Sequence, residues 1–178
     1  METLLYILLI LIIVCFIIYK KIKSKKKTKT IFIHFGKMKS SQQRYLLVPQ
    51  MKNYDQITSD YEPYTLFFNR KSFNSNNVNT DKHGFRLNYF NKSFKSVYEF
   101  CEFDEISIII GGSTVFGFGS TDDGKSIPSI MTKYGKEIFL NFGATAFNSR
   151  QELFLFINNL GKFKKIKQVI IISGINDL

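Results

Sequence analysis

Cysteine is almost missing from this chain. Only Cys15 and Cys101 occur, the first inside an apolar N-terminus. That excludes a disulfide framework and fits a reducing compartment. Tryptophan is absent altogether, yet 19 Phe and 9 Tyr leave ample material for a core. Histidine is confined to His34 and His83, so few groups could serve as a neutral-pH base. Acidic residues are also scarce, 14 against 25 Lys and Arg, for a net charge of +11.

That charge is unevenly placed. Residues 1–19 carry only Glu2, whereas residues 20–29, "KKIKSKKKTK", hold seven lysines. The remainder has a net charge of only +5. The basic character therefore belongs to one short run, and no nucleic-acid partner is expected for the folded part. A length of 178 residues suits one domain and an appendage.

The appendage reads as a membrane anchor. Leu4–Tyr19, "LLYILLILIIVCFIIY", is free of charge. As a helix it reaches roughly 24 Å, and snorkelling lysine stems extend it toward the ~30 Å hydrocarbon core. A cleaved signal peptide would want basic residues before the apolar run and small residues after it. Neither is present, and a buried globular helix is rarely so apolar on every face. The lysines follow the span, so the positive-inside rule places residues 20–178 in the cytoplasm. Lys20–Lys29 is a solvated flank, also placed to meet anionic lipid at about 1 kcal/mol per lysine near the surface.

Four segments are expected: a transmembrane helix over 1–19, a basic linker over 20–30, an irregular strand-and-loop region over 31–104, and an α/β part over 105–178. Within the third, "IFIHFG", "YLLVP" and "YTLFF" are short apolar runs, and Gly84 is the expected positive-φ residue of a turn-rich stretch. From Ile106 the pattern is regular. "ISIII" predicts a strand buried on both faces. Ser126, Pro128 and Gly135 bound a helix. "EIFLNFG" predicts a second strand. "SRQE", Ser149–Glu152, predicts a capping box opening a helix whose Leu153, Phe156, Ile157 and Leu160 share a face. "QVIIIS" predicts a third strand. Alternating elements at this spacing imply a parallel sheet with right-handed crossovers.

Chemistry in an open parallel sheet lies beyond the carboxyl ends of the strands. Those ends read "GGST", "NFGAT" and "GINDL". A nucleotide site fits poorly. Gly112 to Gly117 has P-loop spacing but Phe118 replaces the lysine, and Gly117 and Gly119 are followed by Asp122 where a dinucleotide motif needs glycine. No cofactor or metal is expected. Taken singly, Ser113 is a helix N-cap, Gly143 a turn glycine and Asn176 an Asx-turn residue; their joint placement favours a site.

Together the three tips resemble the SGNH, or GDSL-like, hydrolase family. "GGST" resembles its first block, "NFGATAFNSRQELFLF" the second, and "GIND" the third. "VNTDKHGFR" resembles a segment preceding the nucleophile in membrane-linked members. The resemblance spans residues 78–178 and implies a partial flavodoxin-like α/β sheet of order 2-1-3-4-5. It implies Ser113 as nucleophile, with Gly143 and Asn176 in an oxyanion hole, acting on acyl esters of glycan or lipid. Two or three fixed donors around the developing oxyanion suit that chemistry, each worth ~10²–10³ in rate. Asp177 is expected to be a support or cap, and Asp122 and Asp123 loop or capping residues.

The family draws its base from a D-x-x-H block that follows the third block. This sequence ends at Leu178, which leads us to expect a partial product of a longer gene, with "QVIIIS" left as an unpaired apolar edge, the alternative being that segments from residues 30–100 cover it. "DKH" has the wrong spacing and order, so His83 is expected to be an exposed loop residue. Without a base Ser113 is a weak nucleophile. The alternative is an inactive remnant or a non-catalytic, membrane-anchored binding module.

Overall fold

The computed structural model describes residues 40–177. Leu4–Tyr19, Lys20–Lys29, "IFIHFG" and His34 lie outside the described residues. Among the described residues no helix is long and apolar enough to cross a membrane. The chain divides into two units. One ends in helix α1 (Ser40–Leu47), and the other is Val48–Leu178.

The second unit is an α/β structure around a three-stranded parallel sheet. β5 (Ile106–Gly111) lies between β6 (Phe139–Gly143) and β7 (Ile166–Ile172), in the order β6-β5-β7. Every residue of β5 is buried, as a continuous β-branched run requires. Register places Gly111 beside Gly143 on one side and Ile172 on the other, which brings the three carboxyl ends level.

Between the strands run α3 (Ser113–Phe116, a single turn), α4 (Ile127–Tyr134) and α5 (Ser149–Leu160). Ser126 precedes α4, Pro128 lies in its first turn and Gly135 follows it, as read from the sequence. The cap of α5 lies one residue earlier than expected. Asn148 Oδ1 accepts from Gln151 N (3.0 Å), and Gln151 Oε1 accepts from Asn148 N (3.2 Å). That box frees Glu152 to point inward.

The buried face of α5 differs from the expected one except at Phe156, which packs half-buried against the core. Glu152, Leu155 and Asn159 are buried, while Leu153, Ile157 and Leu160 are exposed by 55%, 54% and 47%. Hydrophobic count alone would choose the other face, but inward Asn159 has partners for both of its polar atoms. Asn159 Nδ2 donates to Leu155 O (2.7 Å), and Asn159 Oδ1 accepts from the Tyr98 hydroxyl. β7 is an unpaired edge among the described residues, with Ile171 69% exposed.

Within the second unit, residues 48–104 are not a separate body. They form short helix α2 (Met51–Tyr54) and two hairpins, β1 (Ser59–Glu62) with β2 (Leu66–Asn69), and β3 (Asn88–Phe90) with β4 (Ser93–Lys95). Phe68 of β2, Phe85 between the hairpins, and Val97 and Phe100 after them share one core with Ile106, Ile108, Ile110, Leu140 and Phe142. Phe85 links the two parts, its ring 5.0 Å from those of both Phe68 and Phe142. The opposite sheet face packs Ile109, Val115 and Phe139 against Ile127 and Met131 of α4.

Candidate active site

The site is built at the carboxyl ends of the three parallel strands. β5 ends in Gly111 and turns at Gly112 into α3, whose first residue is Ser113. The glycines here serve close approach. A β-carbon on residue 111 would overlap the Ile172 carbonyl oxygen and the Val115 side chain. One on Gly112 would lie 3.0 Å from Asn176 Nδ2, so the carboxamide sits directly against the residue before Ser113. Ser113 and Asn176 line one cleft of about 160 Å³ with Phe147, Glu152, Ser173 and Gly174.

Gly143 has a different place. Its missing side chain leaves room for α3: a β-carbon there would overlap Phe116 N. Its N–H donates to Asn141 Oδ1 (2.9 Å) and its carbonyl accepts from Asn69 Nδ2 (3.2 Å). Gly143 is not among the residues lining the Ser113 cleft. The left-handed residue of this tip is instead Ala146, with φ 61°. The glycine in "NFGAT" drew attention to position 143, and an alanine carries no signal of positive φ. The turn around Ala146 leads to Phe147, whose carbonyl accepts from Asn176 Nδ2 (2.7 Å).

Asp177 acts as the expected support. Its Oδ1 accepts from both the backbone N–H and the hydroxyl of Ser149, at 2.9 Å each, at the start of α5. The third tip is therefore fixed to the second by two threads, Asn176 to Phe147 and Asp177 to Ser149.

Asp123 is no loop cap. It forms a buried ion pair with Arg86, Nε to Oδ1 at 2.8 Å, and both side chains are almost wholly inaccessible. Arg86 Nη1 also donates to the Phe116 and Gly117 carbonyls (2.9 and 2.7 Å), and Nη2 to Asn77 O (2.9 Å). The guanidinium thus holds the end of the turn whose beginning is Ser113. Asp123 additionally accepts from the backbone and side chain of Asn79. This pairing joins distant segments, and only the basic residue in "HGFR" and an acid near α4 hinted at it.

Asparagines brace the second tip from behind. Asn69 Nδ2 donates to Gly84 O and Gly143 O, and its Oδ1 accepts from Thr145 N (3.0 Å). Asn88 Oδ1 accepts from Asn141 N (2.7 Å). Gly84, at φ 93°, is the positive-φ turn residue the sequence indicated.

His83 lies elsewhere. It is half-buried rather than exposed, its ring 4.5 Å from that of Tyr98, in a second cleft with Glu62, Lys71 and Lys162. The titratable group in the Ser113 cleft is Glu152, whose carboxyl is pushed up by burial. Among the described residues no group of histidine, cysteine or acidic side chains could hold a metal ion. Comparison with known proteins finds no matching family model and no matching curated protein.

Proposed function

We propose that this chain is a membrane-anchored serine ester hydrolase of SGNH type, with Ser113 as its nucleophile. The observation that carries this reading is the shared cleft. A hydroxyl at the start of a helical turn and a carboxamide from a neighbouring strand tip lie around one small volume. Attack by Ser113 Oγ on an ester carbonyl would develop an oxyanion, and the Ser113 N–H and the Asn176 carboxamide are its natural donors. Gly143 supports them by letting α3 settle on β6, its own N–H being engaged by Asn141. The strand order β6-β5-β7 agrees with the 2-1-3 portion of a flavodoxin-like sheet. Acyl esters of glycan or lipid are the substrate class, Leu4–Tyr19 the anchor, and Lys20–Lys29 the contact with anionic headgroups.

A fluorophosphonate probe tests the nucleophile. Labelling of the full chain that vanishes on Ser113→Ala supports the reading. No labelling, or equal labelling of both proteins, overturns it.

A second reading, a non-catalytic binding module, is favoured by one observation. His83, the one histidine among the described residues, faces Tyr98 in another cleft. That reading expects no hydrolysis of a chromogenic acetate, and no change on Asn176→Ala.

A further inference from the structure

Glu152 has no role in the scheme above, yet it occupies the wall of the same cleft. It is 3% exposed, and Oε2 has no hydrogen-bond partner. Ser173 lines the same cleft beside it, and Asp177 is the charged group that opposes its ionisation. The other cleft elements, Gly112 to Thr114, Phe147 and Ile172, bring no titratable group. An ionised carboxylate with a sealed, bare oxygen carries a heavy desolvation penalty. A neutral acid leaves nothing charged unpaired there.

We propose that Glu152 is a positioning residue: a neutral carboxyl beneath residues 173–177 that fixes the loop carrying Asn176 against Phe147 and Gly112. The loop is otherwise exposed and begins its turn at Gly174, φ 112°. It needs an internal brace to hold a donor in place, and Glu152 is the buried polar side chain of α5 that lines the cleft with it. The direction of its titration agrees. Burial, and secondarily Asp177, raise its pKa above the usual carboxylate range, while Ser173 opposes them. Ionisation would set Glu152 against Asp177, whose own bonds tie the loop to Ser149.

The sign of the pH effect follows. Where the unfolded chain has lost this proton and the folded chain keeps it, stability falls as pH rises. The fall begins at the ordinary glutamate pKa and ends above the folded one. Glutamine keeps the shape and neutrality of the acid and removes the titration, whereas alanine removes the brace.

The inference rests on reading Asn176 as an oxyanion donor, so the test has readouts on and off the chemistry. Full-length wild type, Glu152→Gln and Glu152→Ala would be compared between about pH 5 and about pH 8. The readouts are thermal midpoint, amide hydrogen exchange of residues 173–177, and fluorophosphonate labelling of Ser113. We expect Glu152→Gln to retain labelling, and the midpoint of wild type relative to Glu152→Gln to drop as pH rises. Glu152→Ala should exchange the loop amides about tenfold faster at every pH and label more slowly. A wild-type pH trend that survives in Glu152→Gln, or loop exchange as fast in Glu152→Gln as in Glu152→Ala, overturns the proposal. The expected exchange pattern with Ser113 unlabelled in wild type supports the brace and overturns only the hydrolase reading.

Discussion

Gly143 lies so close to the backbone of Phe116 that a single added methyl would occupy the space of the Phe116 amide nitrogen. The neighbour is backbone in a buried turn, with Val115 and Phe116 wholly inaccessible, so it has nowhere to move. Gly143→Ala must push α3 off β6 and displace Ser113 with it. Overpacking of this kind typically costs ~1–3 kcal/mol. Urea unfolding should show the loss, and any remaining folded protein should react more slowly with a serine probe.

Arg86 and Asp123 make a second prediction. A buried pair is costly to break from one side, about 3–5 kcal/mol, because the partner charge is left uncompensated. Arg86→Met should therefore destabilise strongly, by leaving the buried Asp123 charge uncompensated and removing a donor from the Phe116, Gly117 and Asn77 carbonyls. Asp123→Asn keeps the shape and, with its oxygen at Oδ1, the bonds from Arg86 Nε and Asn79 N, losing only the one from Asn79 Nδ2, and should cost less. A double-mutant cycle by urea midpoint would show coupling well above that of exposed pairs such as Lys71–Glu62.

Much of this architecture was written locally and could be read. A strand of isoleucines ending in two glycines, and a helix bounded by Ser126 and Gly135, depend on neighbours a few residues away. The misreadings have a common origin in long-range partners. α5 buries Asn159 rather than Ile157 because Tyr98, remote in sequence, satisfies its carboxamide oxygen. The hairpins before residue 105 looked irregular because their order comes from Phe68 and Phe85 meeting the sheet. For the site, Ser113 and Asn176 were legible as polar residues at strand tips. Arg86, Asn69 and Ala146 were not, since support from behind leaves no spacing pattern.

The β7 edge gives a third expectation. Ile171 is 69% exposed on β7, whose outer edge is unpaired among the described residues, a ready template for association. Ile171→Lys removes an exposed apolar side chain and adds a charge to that edge. Stability should change by no more than ~0.5 kcal/mol, as for an exposed position without special contacts. Light scattering on heating should show later aggregation than in wild type. Equal aggregation would mean that another surface nucleates it.

Asn176→Ala separates chemistry from folding. The Asn176 side chain makes a hydrogen bond to Phe147 O and sits at an exposed tip, so its removal should cost only about 1 kcal/mol of stability. If its carboxamide also stabilises an oxyanion, ester hydrolysis should fall ~10²–10³-fold in kcat with little change in KM. Asn176→Asp is the sharper control. It keeps the size but replaces the donor by an acceptor of like charge to the oxyanion, and should be at least as inactive as the alanine variant. Hydrolysis that is unchanged in both variants, with both folded, would remove Asn176 from the chemistry and leave it a tie between two loops.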